Sequence, residues 1–68
     1  MLSEKEEKIV NLLLDKEIDE RTIIAVIHAM DTAERQDMMI TYLISVEYLA
    51  KDDVMKGLRI YFFKQNKC

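Results

Sequence analysis

Side chains that commonly carry out chemistry are few in this chain of 68 residues. It has one histidine, His28, one cysteine, Cys68, and one glycine. A nucleophile needs a base within hydrogen-bond reach, yet His28 lies in an uncharged segment and Cys68 is the last residue. A phosphate-binding loop needs more than one glycine. We therefore predict that the chain is not an enzyme and binds neither a cofactor nor a small-molecule substrate.

The same residues argue against a metal site. His28 and Asp31 are three residues apart, but no second histidine and no cysteine pair completes a ligand set. We therefore predict no bound metal. We interpret His28 as a core or interface imidazole that is hydrogen-bonded to a backbone carbonyl. The alternative is a pH-dependent contact, because histidine changes its charge near neutrality.

The length of the chain limits its stability. A domain of this size buries only about 60% of the surface that its unfolded form exposes, and one cysteine excludes an intramolecular disulfide. Self-association is therefore the most available further source of stability. The net charge is -3, with acids concentrated in residues 1–20 and bases in residues 50–68. We interpret these ends as neighbours that partly neutralise each other; the alternative is a basic face for an acidic partner.

Nothing in the sequence indicates export or insertion into a membrane. The opening residues are acidic rather than basic, unlike a signal peptide. The longest uncharged stretch, residues 22–30, is far shorter than the roughly 20 apolar residues of a membrane helix. A single cysteine suits a reducing compartment. We therefore expect a cytoplasmic protein that makes no membrane contact.

Local signals predict an all-α fold, a compact bundle of four short helices in one domain over residues 1–68. Ser3 and Glu6 can form a capping box for the first helix. Asp19 is the predicted N-cap of the second helix. The third helix should begin at Asp31 or Thr32, and the fourth at position 52 after a break near residues 49–51. The lack of proline favours this helical interpretation.

The second helix carries no charge over residues 22–30, and such a helix is normally surrounded by protein. We therefore expect the second and third helices at the centre. Rival interpretations from β-propensity are a buried strand over residues 23–27 and a strand pair of 40–46 with 58–63. Gly57 weakens the fourth helix. It indicates either a close backbone approach or a helix that starts after it.

The third and fourth helices have more apolar positions than one core face needs. After that face is used, a second set of apolar side chains remains on these helices: Ile40, Ile44, Tyr48, Ile60 and Phe63. Exposed apolar patches mark contact sites. We therefore predict a protein–protein interaction module, a small regulator or adaptor, whose simplest partner is a second copy in a homodimer. Tyr48 and Phe63 are the predicted anchors. The alternative is that one copy covers all five residues internally.

A helix-turn-helix that binds DNA is the rival functional hypothesis. The second helix, a short turn and the third helix have suitable lengths, and Arg35 and Gln36 would then read base edges. Three acids surround these two residues: Asp31, Glu34 and Asp37. Because lysine and arginine contacts to phosphates supply most of the affinity in such modules, we rank nucleic acid below a protein partner.

Overall fold

The computed structural model describes residues 2–63, and four α-helices account for most of them. In chain order they are α1 Glu4–Asp15, α2 Glu20–Ala29, α3 Ala33–Ser45 and α4 Lys51–Tyr61. The predicted all-α fold of four short helices is therefore confirmed. No strand occurs within residues 2–63, so both strand interpretations are wrong. Cys68 and the basic end of the chain from residue 64 onward lie outside the described residues.

Side-chain caps define the beginnings of the first three helices. At α1, the Ser3 amide donates to Glu6 Oε1 at 2.9 Å and the Glu6 amide donates to Ser3 Oγ at 3.2 Å. This pair of bonds is the predicted capping box. Asp19 caps α2, as predicted, and Thr32 caps α3. Such caps satisfy amides that have no partner within the helix.

A Schellman motif ends α1 and turns the chain toward α2. The Ile18 amide donates to the Leu13 carbonyl at 3.1 Å, and the Glu17 amide donates to the Leu14 carbonyl at 2.8 Å. Glu17 has a φ of 60°, the left-handed conformation that glycine usually adopts here. Leu13 and Ile18 are both buried. The turn thus buries an apolar pair, although its left-handed conformation is unfavourable for a residue with a side chain, such as Glu17.

The core consists of ten buried hydrophobic residues and contains no buried polar side chain among the residues described. They come from all four helices and two connecting positions: Ile9, Leu13, Ile18, Ile23, Val26, Met30, Met39, Leu43, Val54 and Leu58. The closest packing joins α1 to α3 and α1 to α2. The central helix is therefore α1, and the prediction that the second and third helices are central is wrong. That prediction fails because the other helices cover only part of the uncharged surface of α2.

The turn after α3 is held by the side chain of Lys16, the C-cap residue of α1. Lys16 Nζ donates to the carbonyls of Glu47 and Leu49 in the turn that follows the helix. The helix ends at Ser45, before the break predicted near residues 49–51. Helix α4 begins at Lys51, one residue before the predicted start, and its N-cap Ala50 supplies no side-chain bond.

Gly57 lies inside α4 because the side chain of Tyr42 packs against it. A Cβ atom at position 57 would overlap the Tyr42 hydroxyl and lie 2.9 Å from its Cζ atom. The hydroxyl donates to the Val54 carbonyl at 3.0 Å, and the ring packs on Phe62 with centroids 5.5 Å apart. The close approach predicted from Gly57 therefore exists, but a side chain makes it rather than a backbone.

Candidate interaction surfaces

His28 is exposed on α2, so the interpretation as a core imidazole is wrong, whereas an interface imidazole stays a prediction. The physical reason is helical rotation. Val26 is fully buried, and a residue two positions further along an α-helix is rotated by about 200°. His28 therefore points away from the core. Within residues 2–63, no group of three or more histidine, cysteine or acidic side chains is placed to hold a metal ion.

The five residues of the predicted interface divide into two groups. Ile44, Tyr48 and Ile60 are exposed, with 47%, 80% and 50% of their surface accessible. Ile40 and Phe63 are half-buried and pack against the core. One copy therefore leaves three of the five side chains accessible to a partner. Of the two predicted anchors, Tyr48 is the exposed one.

Helix α3 presents different residues to α4 and to solvent. Tyr42 faces α4, since its hydroxyl bonds to Val54 and its ring lies against Phe62. Ile44 is two positions further along and is therefore rotated by about 200° from Tyr42. Ile44 consequently lies on the side of α3 away from α4. Tyr48 follows in the turn after α3, four positions beyond Ile44.

Arg35 and Gln36, the residues of the DNA-binding hypothesis, close the end of α2. Arg35 Nε donates to the Ala29 carbonyl at 3.1 Å, and Gln36 Nε2 donates to the Met30 carbonyl at 3.0 Å. Carbonyls at the end of a helix have no partner within it. Both side chains therefore have a structural role in this fold. Nothing in the geometry favours the DNA-binding hypothesis over a protein partner.

An apolar groove between α2 and α4 was missed by the sequence analysis. It has a volume of about 290 Å³ and is lined mainly by Ala25, Met55, Leu58 and Phe63, with Arg21 and Arg59 also in its wall. The signal was present in the uncharged run 22–30. We interpreted that run as evidence of complete burial, whereas one side of α2 remains accessible.

A second groove lies on the other side of α2, against α1. This groove has a volume of about 250 Å³ and a mostly apolar lining. The lining residues are Leu2, Val10, Ile23, Ile24, Ile27 and His28. Helix α2 is thus flanked by two shallow apolar grooves. Volumes of this size fall just below the roughly 300–1,000 Å³ of small-molecule sites and suit single inserted side chains better.

Among residues 2–63, two ionisable side chains have a pKa that their structural roles shift. The Thr22 hydroxyl and, with a smaller effect, the Thr22 amide donate hydrogen bonds to the Asp19 carboxylate. These bonds lower the pKa of Asp19 below its ordinary value of 3.8. Partial burial, and secondarily the nearby Tyr61, raises the pKa of Tyr42 above its ordinary value of 10.0. Asp19 caps a helix and Tyr42 packs against Gly57, so both shifts report folding interactions rather than a reactive centre.

In the described part of the chain, none of the helices has the length and apolar character needed to cross a membrane. Comparison with known protein families, with curated proteins and with solved structures finds no match to this chain.

Proposed function

We propose that this protein is a non-catalytic interaction module, a small intracellular regulator or adaptor, that acts by docking through apolar side chains of α3 and α4. The first partner we propose is a second copy of the chain. The exposure of Ile44, Tyr48 and Ile60 carries the proposal. A core of ten apolar residues is complete without them, so their contribution to folding of one copy is small.

Tyr48 is the proposed anchor of the interface. Aromatic residues dominate the binding energy of many protein interfaces because they combine a large apolar surface with one polar atom. Tyr48 is 80% exposed in the turn after α3, and Ile44 lies close to it along the chain. A two-fold arrangement would pair this surface with itself, and the hydroxyl of Tyr48 would stay hydrated at the rim.

The mass of the protein in solution tests the proposal. We would measure sedimentation equilibrium of the full chain from about 10 µM to about 1 mM. We expect the average mass to rise from monomer toward dimer as concentration increases. Ile44→Glu should return the mass to that of a monomer, because a carboxylate at an apolar contact must be desolvated.

Ile24→Glu is a matched control, because Ile24 is 51% exposed on α2 and Ile44 is 47% exposed on α3. Both changes add the same charge at an exposed helical position. We expect Ile24→Glu to self-associate like the wild type, with both variants keeping their helicity. A wild-type chain that stays monomeric to millimolar concentration contradicts the homodimer, and equal effects of the two variants contradict the assigned surface.

A further inference from the structure

We propose that the groove between α2 and α4 binds an acidic amphipathic helix of another protein. The inference rests on the proposed role of the chain as a docking protein, but it concerns a different surface and a partner other than a second copy. Thr22 and Ala25 of α2 line the groove together with Met55 and Leu58 of α4 and with Phe63, which follows α4.

The shape of the groove favours an inserted side chain. The groove has a volume of about 290 Å³ and is open to solvent. A helix laid against it can insert apolar side chains spaced by one turn, which is a recurring mode of peptide recognition. Met55 suits this use, because its unbranched side chain adapts to different partners.

Charge identifies the chemistry of the partner. Among residues 2–63, the ionisable side chains that line the groove are Arg21 and Arg59, although the whole chain has a net charge of -3. Within residues 2–63, neither guanidinium lies within ion-pair distance of a carboxylate. Arginine recognises carboxylates through paired hydrogen bonds. A helix with apolar residues on one side and Asp or Glu beside them therefore complements both parts of the groove.

The same charges argue against a second copy at this surface. A two-fold contact would bring the groove against itself and place two pairs of arginines together. Like charges brought together at a contact disfavour association. A membrane is also a poorer fit, because a groove accepts a projecting side chain whereas a flat bilayer surface has none to insert. The acidic helix is the occupant that the lining favours.

A library of helical peptides displayed on phage tests this proposal with the full-length protein. Peptides would be selected on the wild type and counter-selected on Ala25→Glu. Ala25 is exposed, so this change should fill and charge the groove while the helicity measured by circular dichroism stays constant. We expect the retained peptides to combine apolar residues one turn apart with flanking Asp or Glu.

Affinities of the retained peptides then test the two arginines. Arg21→Gln and Arg59→Gln should each weaken binding by about two- to fivefold, the range of partly exposed ion pairs. Lys8→Gln on α1 is a matched loss of one positive charge outside the groove lining, and it should leave the affinity unchanged. Ile44→Glu should also bind the peptides normally, which separates this surface from the proposed dimer contact.

Other outcomes overturn the inference. Enrichment of basic or uncharged peptides would contradict the assigned chemistry, and recovery of no peptide would contradict the site. Equal affinities for the wild type and both arginine variants would contradict the role of the guanidinium groups. If Ala25→Glu is not folded, the peptide affinities of the two arginine variants alone test the proposal. If Ala25→Glu instead abolishes self-association, the groove is a contact between copies and the proposal is wrong.

Discussion

Gly57→Ala tests whether the contact of Tyr42 with α4 requires glycine at position 57. In an exposed helix, alanine in place of glycine adds about 1 kcal/mol of stability. Here the new Cβ atom would overlap the Tyr42 hydroxyl and stand 2.9 Å from Cζ and 3.3 Å from Cε1. The ring cannot turn aside freely, because Phe62 and Tyr61 pack against it with centroids 5.5 Å and 6.1 Å away.

The expected magnitude combines three effects. Overpacking costs about 1–3 kcal/mol, and loss of the bond from the Tyr42 hydroxyl to the Val54 carbonyl costs about 1 kcal/mol. The higher helix propensity of alanine adds about 1 kcal/mol of stability. We therefore expect Gly57→Ala to lower the free energy of unfolding by about 1–3 kcal/mol. In a Tyr42→Leu background, the same change should raise it by about 1 kcal/mol.

Urea unfolding followed by far-UV circular dichroism measures the four members of this double-mutant cycle. Lys56 is exposed next to Gly57, so the difference between Lys56→Ala and Lys56→Gly gives the local preference for alanine without the Tyr42 contact. We expect that difference to be about 1 kcal/mol. If Gly57→Ala stabilises the wild type by the same amount, the steric reasoning is refuted.

Three further predictions concern the turns. Lys16→Met should lower the free energy of unfolding by about 1.5–3 kcal/mol, measured in urea, because two carbonyls lose a charged donor; an unchanged midpoint would contradict this role. Glu17→Gly should raise the thermal midpoint, because the left-handed conformation at this position disfavours a side chain; a lower midpoint would count against it. Thr22→Val should raise the pKa of Asp19 toward 3.8 in a carboxyl NMR titration, since the strongest lowering effect is the Thr22 hydroxyl. The folded pKa lies below the unfolded one, so the contribution of Asp19 to stability is complete above 3.8 and is lost as pH falls through the folded pKa.

Local signals in the sequence were sufficient for the helices but not for their packing. Ser3 and Asp19 act through bonds within three residues, so the chain nearby contains the necessary information. Lys16 reaches a turn more than thirty residues away, and no periodicity reveals such a contact. The sequence predicts the break near residues 49–51, whereas α3 ends at Ser45.

The candidate surfaces show the same division between local and distant information. Apolar spacing correctly indicated that Ile44 and Ile60 exceed the needs of the core, since both are exposed. Spacing alone did not show that Phe63 would pack against that core, because this depends on how distant parts of the chain pack together. Likewise, the uncharged surface of α2 indicated burial, whereas α1 and α4 cover only part of it.

The most direct test of the central claim is a dilution series of two-dimensional ¹H–¹⁵N NMR spectra on the full chain. The claim is that Ile44, Tyr48 and Ile60, three of the apolar side chains exposed outside a complete core, form the contact between copies. Between about 1 mM and about 20 µM, we predict shifts of the amide signals of residues 44–48 and 60, while those of residues 22–29 stay constant. Signals that do not move anywhere, or that move only on α2, would contradict the account.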